Sequence, residues 1–253
     1  MGADDLTTQL TNIKTRWTLL FQAHRRSEDA AETAARQQLL LRYYGAVYRY
    51  LLGTVRDVAA AEELSQEFAV RFLRGDFHRA NPDKGRFRDF VKTSLRRLAL
   101  DYWKKQANRR AVPLDPSEEL AGPVEDASAT DQPFLDEWRD ELLARVWEAL
   151  EEVQQRTGQP YCTLLRWKTE RPQGRSVEFA ARLGDLLGKS YTETAVRKLL
   201  QRAREDFGDL LLEEVSRSLE TTEPDRIEQE LIELQLLDYC RPALDRRERK
   251  AQE

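Results

Sequence analysis

The sequence predicts an all-α protein: two helical domains joined by an acidic linker. Three observations predict it. Apolar and charged side chains recur three and four residues apart along most of the chain, which is the periodicity of amphipathic helices. Gly and Pro are scarce for 253 residues, at 11 and 9, and β-branched runs are short. Between 111 and 133, however, Pro113, Pro116, Pro123 and Pro133 collect with Gly122 among Asp, Glu, Ala and Ser, the composition of an extended spacer. With 40% of residues hydrophobic, enough apolar surface remains for a modest core on either side.

The elements follow in order. Residues 1–11 read as frayed. Asn12–Arg26 carries Ile13, Trp17, Leu20 and Phe21 on one helical face. Ala30–Thr54 sets Leu40, Tyr43, Tyr44, Val47, Tyr48, Leu51 and Leu52 on one stripe. Val58–Arg74 does the same with Ala61, Leu64, Phe68, Val70, Phe72 and Leu73, and Gly75 is a natural stop. Asn81-Pro82-Asp83-Lys84-Gly85 is a turn, and Phe87–Gln106 is the next helix. Beyond the linker, Phe134–Arg156 is helical until Gly158-Gln159-Pro160. Tyr161–Glu170 follows, then a turn at Pro172–Gly174. Ser176–Leu183 ends near Gly184, with Asp185-Leu186-Leu187 able to prolong it. Thr192–Leu219 is long. Pro224–Tyr239 is a last amphipathic helix with Ile227, Leu231, Leu234 and Leu237. The charged tail after Pro242 reads as loose.

Composition narrows the function. The two cysteines, Cys162 and Cys240, lie in apolar helical contexts and imply no disulfide framework. The two histidines, His24 and His78, are far apart, so no Cys/His spacing suits zinc, and no cofactor is expected. There is no signal-peptide core and no apolar run approaching 18 residues, so membrane insertion is not expected and the cytoplasm is the expected compartment. No Ser/His/Asp or Cys/His arrangement and no phosphate-cradling Gly loop points to an enzyme.

The net charge of −4 hides a strong asymmetry. From Lys84 to Arg110 the cations are Lys84, Arg86, Arg88, Lys92, Arg96, Arg97, Lys104, Lys105, Arg109 and Arg110, against Asp89 and Asp101 alone. From Ala111 to Trp138 there is no cation among Asp115, Glu118, Glu119, Glu125, Asp126, Asp131, Asp136 and Glu137. On a helix from Phe87 to Tyr102, Arg88, Lys92 and Arg96 form an i, i+4, i+8 row, with Arg97, Lys104 and Lys105 extending it. Such a row repels itself unless a polyanion neutralises it. Tyr102, Trp103 and Phe87 offer rings on which unpaired bases stack, although each has a core role open to it as well.

A second constellation lies near the other end. Ser176–Gly184 reads as the first helix of a helix-turn-helix. Ser190-Tyr191-Thr192-Glu193 fits a capping box with Ser190 as N-cap and Glu193 at the third position. The following helix sets Val196, Leu199, Leu200, Ala203, Phe207, Leu210 and Leu211 inward, and Thr194, Arg197, Lys198, Gln201, Arg202 and Arg204 outward. Such side chains read base edges and hold phosphates. An ordinary helical hairpin fits this segment too, and the stretch from Leu183 to Ser190 is longer than the usual turn.

The order of segments resembles a known family. Tyr43–Leu52 (YYGAVYRYLL), Ala59–Leu73 (AAAEELSQEFAVRFL) and Asp83–Gln106 (DKGRFRDFVKTSLRRLALDYWKKQ) resemble region 2 of bacterial sigma factors of the extracytoplasmic-function (ECF) group. Glu62-Glu63-Leu64-Ser65-Gln66-Glu67 looks like that family's signature on its polymerase-binding helix, with Glu63 where Asp is more usual. Gly85-Arg86-Phe87-Arg88 with Trp17 is similar to a subgroup common in planctomycetes. Trp147–Leu219, with Val196-Arg197 and Arg202-Ala203-Arg204, looks like region 4. The resemblance implies residues 12–110 as a region 2-like bundle, 111–133 as linker, 134–219 as a region 4-like helix-turn-helix domain, and 220–253 as an extension of no assigned role. It implies that Glu62, Glu63, Leu64, Gln66 and Glu67 dock on the clamp helices of the largest subunit of core RNA polymerase. It implies that Arg86, Phe87, Arg88, Lys92, Arg96, Arg97, Tyr102, Trp103 and Lys104 engage the −10 element of promoter DNA. Thr192, Thr194, Arg197, Lys198, Gln201, Arg202 and Arg204 would read the −35 element. An anti-sigma factor or other regulator is a further expected partner, and the free chain is expected to be a monomer.

Two other readings stay open: a dimeric helix-turn-helix regulator on a palindromic site, and a sigma-like adaptor that binds polymerase without initiating. The acidic block, beside the spacer role common to such stretches, could shield the basic helix in the free protein. The helix from Pro224 to Tyr239 could pack on the helix-turn-helix domain or receive a regulator. Cys240 as a redox sensor has only Arg241 to activate it.

Overall fold

The computed structural model describes residues 30–74, 86–110, 131–219 and 223–252. Among them the protein is helical throughout, with no strand. The helices are α1 (Ala30–Val55), α2 (Val58–Arg74), α3 (Phe87–Arg110), α4 (Gln132–Thr157), α5 (Tyr161–Glu170), α6 (Ser176–Leu187), α7 (Glu193–Leu219), α8 (Pro224–Glu233) and α9 (Leu237–Gln252). None is long and apolar enough to cross a membrane. The expected helix Asn12–Arg26, the turn Asn81–Gly85 and most of the acidic linker lie outside the described residues.

The chain divides into two compact units at Glu141–Leu142. In the first, α1 packs on α2 and α3, and α2 on α3. The stripe predicted for α1 is buried at Leu40, Tyr43, Tyr44, Val47, Tyr48 and Leu51, each at most 3% exposed, while Leu52 at its edge is half-buried. A two-residue link joins α1 to α2. Arg56 takes a left-handed φ of 55°, and Asp57 Oδ1 accepts from the Ala60 N–H at 2.8 Å, capping α2.

The division falls within α4, not in the linker where the sequence predicts it. The reason is aromatic packing. Trp138 is fully buried, stacking on Tyr43 at 4.3 Å and 12°. Phe134, 1% exposed, meets Tyr50 edge-on at 5.3 Å. Each such ring removes a large apolar area from water. Ion pairs then fasten the start of α4 to α1. Arg49 donates from Nε to Glu137 at 2.6 Å and from Nη2 to Glu141 at 3.1 Å. Burial opposes the Arg49 charge, but the two carboxylates outweigh it and raise its pKa above the ordinary value. Gly45 leaves room for the Glu141 carboxylate against α1, since a Cβ there would crowd it.

In the second unit α7 is the spine. α5, α6, α8 and α9 all pack on it. One core joins Leu164 and Trp167 of α5 to Phe179, Ala180 and Leu183 of α6 and Val196 and Leu200 of α7. A second gathers Leu150, Tyr161, Cys162, Leu165 and Ala203. The single last helix predicted from Pro224 to Tyr239 is in fact two, broken where Gln235 adopts a φ of 57°. The tail expected to be loose is helical to Gln252. Leu236, Cys240, Ala243 and Leu244 are buried, and Arg246 donates to the Asp209 carboxylate at 3.0 Å and the Glu205 carbonyl at 3.3 Å on α7. Those contacts compensate for Pro242, which withholds one backbone donor within α9.

Candidate functional site

Three helical surfaces carry the residues singled out by sequence. On α2, Glu63 and Gln66 are exposed and Glu62 and Glu67 half-exposed. Positions 62, 63, 66 and 67 lie side by side on a helix, so they form one acidic and amide face. Glu67 pairs with Arg71 a turn later. The Glu62 carboxylate reaches Tyr48 electrostatically: burial first, then that charge, raises the Tyr48 phenol above its ordinary pKa. Leu64 departs from expectation. It is 6% exposed, so it belongs to the core rather than to the outward face.

On α3 the row Arg88, Lys92, Arg96 does not form one surface. Each four-residue step advances about 40° around a helix, so the row drifts. Arg88 shares its angle with Val91, Leu95 and Ala99, and it is buried at 3% exposure. It is a core residue, not the outward cation the sequence predicts. Phe87 is likewise drawn inward, with ring centroids 5.8 Å from Tyr43 and from Phe72, 6.2 Å from Phe90 and 6.1 Å from Trp138. Arg86 is half-buried.

Lys92 and Arg96 are half-buried, with 18% and 35% of their side chains exposed, and both are turned to one acid. Lys92 Nζ donates to Asp131 Oδ2 at 2.9 Å and lies 3.5 Å from Asp89. Arg96 Nη1 is 3.6 Å from Asp131 Oδ1. Arg97, Lys104 and Lys105 are exposed. Tyr102 and Trp103 are half-buried and meet edge-on at 5.3 Å, and the Tyr102 hydroxyl accepts from Gln106 at 3.1 Å. The outward basic face of α3 is therefore Lys92, Arg96, Arg97, Lys104 and Lys105, with two partly accessible rings at its far end.

In the second unit α6 and α7 pack on each other across a short connection. α6 does run past Gly184 to Leu187, and Gly188 stops it with a left-handed φ of 64°. The connection is thus only residues 188–192. The capping box at Ser190 does not form. Thr192 caps instead, its Oγ1 accepting from the Ala195 N–H at 3.1 Å, because α7 starts at Glu193. Thr192, Thr194, Arg197, Lys198, Gln201, Arg202 and Arg204 are all exposed, opposite the buried Val196, Leu200 and Ala203. Arg197 pairs with Glu193, and Gln201 donates to Glu205 at 3.0 Å.

Sequence reasoning passed over several cations around these three helices. Arg182 of α6 lies over the Trp167 ring at 4.0 Å, which fixes an exposed guanidinium by cation–π attraction. Arg175, just before α6, and Lys189, in the turn, are also exposed. Only the folded proximity of α5, α6 and α7 reveals them, since Trp167 and Arg182 share no helical period. An open groove of about 490 Å³ lined by Ala144, Trp147, Glu148, Arg166, Thr169 and Glu170 lies elsewhere in the unit. Among the described residues no three His, Cys, Asp or Glu side chains are placed to hold a metal ion.

The three helices of the first unit coincide with one comparison. Residues 39–109, from within α1 to the end of α3, match the family model for sigma-70 region 2. No curated protein and no solved structure matches the chain.

Proposed function

We propose that the protein is an alternative sigma factor of the ECF type, which binds core RNA polymerase and directs promoter recognition and melting. The observation that carries the reading is the match to sigma-70 region 2 over 39–109, whose helices hold both the outward acidic face of α2 and the outward basic face of α3. Glu62, Glu63, Gln66 and Glu67 dock on the clamp helices of the largest polymerase subunit. Lys92, Arg96, Arg97 and Lys104 hold phosphates of the opened −10 element, each contact adding sequence-independent affinity through counterion release. Tyr102 and Trp103 stack unpaired bases.

The second unit acts as a region 4-like reader of the −35 element. The exposed row from Thr194 to Arg204 enters the major groove, where Arg and Gln side chains pair with base edges. Phosphates flanking the groove fall to Arg175, Arg182 and Lys189. The cytoplasm, and a monomeric free form open to an anti-sigma factor, belong to this reading.

Co-purification with core RNA polymerase tests it. The wild-type chain is expected to bind core, and Glu63→Lys with Gln66→Ala is expected to lose that binding by at least about tenfold while keeping its helical circular dichroism. A wild-type chain that fails to bind core contradicts the proposal.

A further inference from the structure

Asp131 is the last acidic residue of the linker expected at 111–133, and it sits against the basic helix. Its two carboxylate oxygens are divided between two cations, Lys92 at 2.9 Å and Arg96 at 3.6 Å. A phosphate diester presents the same pair of anionic oxygens. The position is anchored from both sides. The Asp131 carbonyl accepts from the Leu135 N–H at 3.0 Å, which ties it to the first turn of α4. Three residues on, Phe134 is buried against Tyr50 of α1. The Tyr50 phenol feels the charges of Arg96, Asp131 and Lys92 together, which places all three around one point of the first unit. The Arg49 pairs with Glu137 and Glu141 hold the next two turns of α4.

We infer that Asp131 is a built-in phosphate mimic that competes with single-stranded DNA for Lys92 and Arg96 in the free protein. The inference rests on the reading of the outward α3 face as a DNA surface. It replaces a diffuse shielding by the whole acidic stretch with one carboxylate and two named cations. The competition is modest in size, because the ion pairs are partly exposed and such pairs are individually weak. It sets a threshold: DNA takes these cations only when other contacts, such as those made on polymerase, raise its local concentration.

Asp131→Asn separates charge from structure, since Asn serves equally well before a helix. The probe is a fluorescein-labelled single-stranded oligodeoxynucleotide of mixed sequence, bound to the full chain at low salt and followed by anisotropy. Asp131→Asn is expected to bind about three- to tenfold more tightly than wild type. Its plot of log affinity against log salt is expected to steepen by about 0.7 for each further phosphate engaged. Asp140→Asn, which removes an exposed acid from α4, is expected to change neither. Unchanged affinity and slope in Asp131→Asn, or an equal gain in Asp140→Asn, overturns the inference. Lys92→Ala with Arg96→Ala tells the two levels apart. If that variant loses promoter opening with polymerase while Asp131→Asn gains nothing, the DNA surface stands and the competition falls. If it opens promoters normally, the DNA surface falls and the competition with it.

Discussion

Arg88 and Lys92 stand one turn apart on α3 and meet opposite surroundings. Arg88 is inside the first unit, and Lys92 is half-buried with its ammonium beside Asp131. The same substitution should therefore read out differently at each. Arg88→Ala is expected to cost about 1.5–3 kcal/mol of stability, through the packing lost when a long buried side chain is truncated, measured by urea unfolding. Lys92→Ala should cost less, about 0.5–1 kcal/mol, because its partly exposed ion pairs are individually weak, and it should weaken DNA binding as well. Equal stability effects at the two positions would contradict the placement of Arg88. Cys240 is a second such case. Burial pushes its thiol up to about 12, so it carries no thiolate near neutral pH and does not suit a redox sensor. Unfolding restores an ordinary value of 9.0, so between pH 9.0 and about 12 the unfolded chain sheds a proton that the folded chain keeps. Stability should fall as pH rises through that window, by up to about 1.4 kcal/mol per pH unit, and Cys240→Ala should flatten the fall.

Most helices were legible because their cause is periodic. The buried stripe of α1 and the outward row of α7 follow from spacing alone. What was not legible depends on angle and on distant partners. The α3 row looked continuous at i, i+4, i+8, but the 40° drift per step carries Arg88 into the core. The start of α4 read as part of the second domain, because only the folded chain brings Trp138 onto Tyr43. Turn chemistry failed at Ser190 because Thr192, two residues on, offers an equally good cap nearer the first helical residue. Thr192→Ala should cost about 1 kcal/mol, and Ser190→Ala should stay within about 0.5 kcal/mol, in thermal or urea unfolding. The reverse order would restore the capping box.

At the scale of the whole molecule, charge is distributed rather than merely summed. A chain of net charge −4 gathers outward cations on α3 and on α6 and α7, while α2 turns acids outward. The match to sigma-70 region 2 covers the first of these surfaces, and the second unit rests on its geometry alone. The C-terminal helices α8 and α9 pack on α7, as one of the two readings of the sequence had it, and Leu231, Leu236 and Leu244 are buried. The free protein should accordingly grip DNA weakly and gain affinity only alongside polymerase. Permanganate footprinting of promoter DNA with core RNA polymerase and the purified chain tests the central proposal most directly. Reactive thymines are expected at a −10 region only when both proteins are present, and they should be lost in Lys92→Ala with Arg96→Ala while polymerase binding persists. A chain that binds core yet opens no promoter on genomic DNA would contradict the proposal and mark the protein as an adaptor.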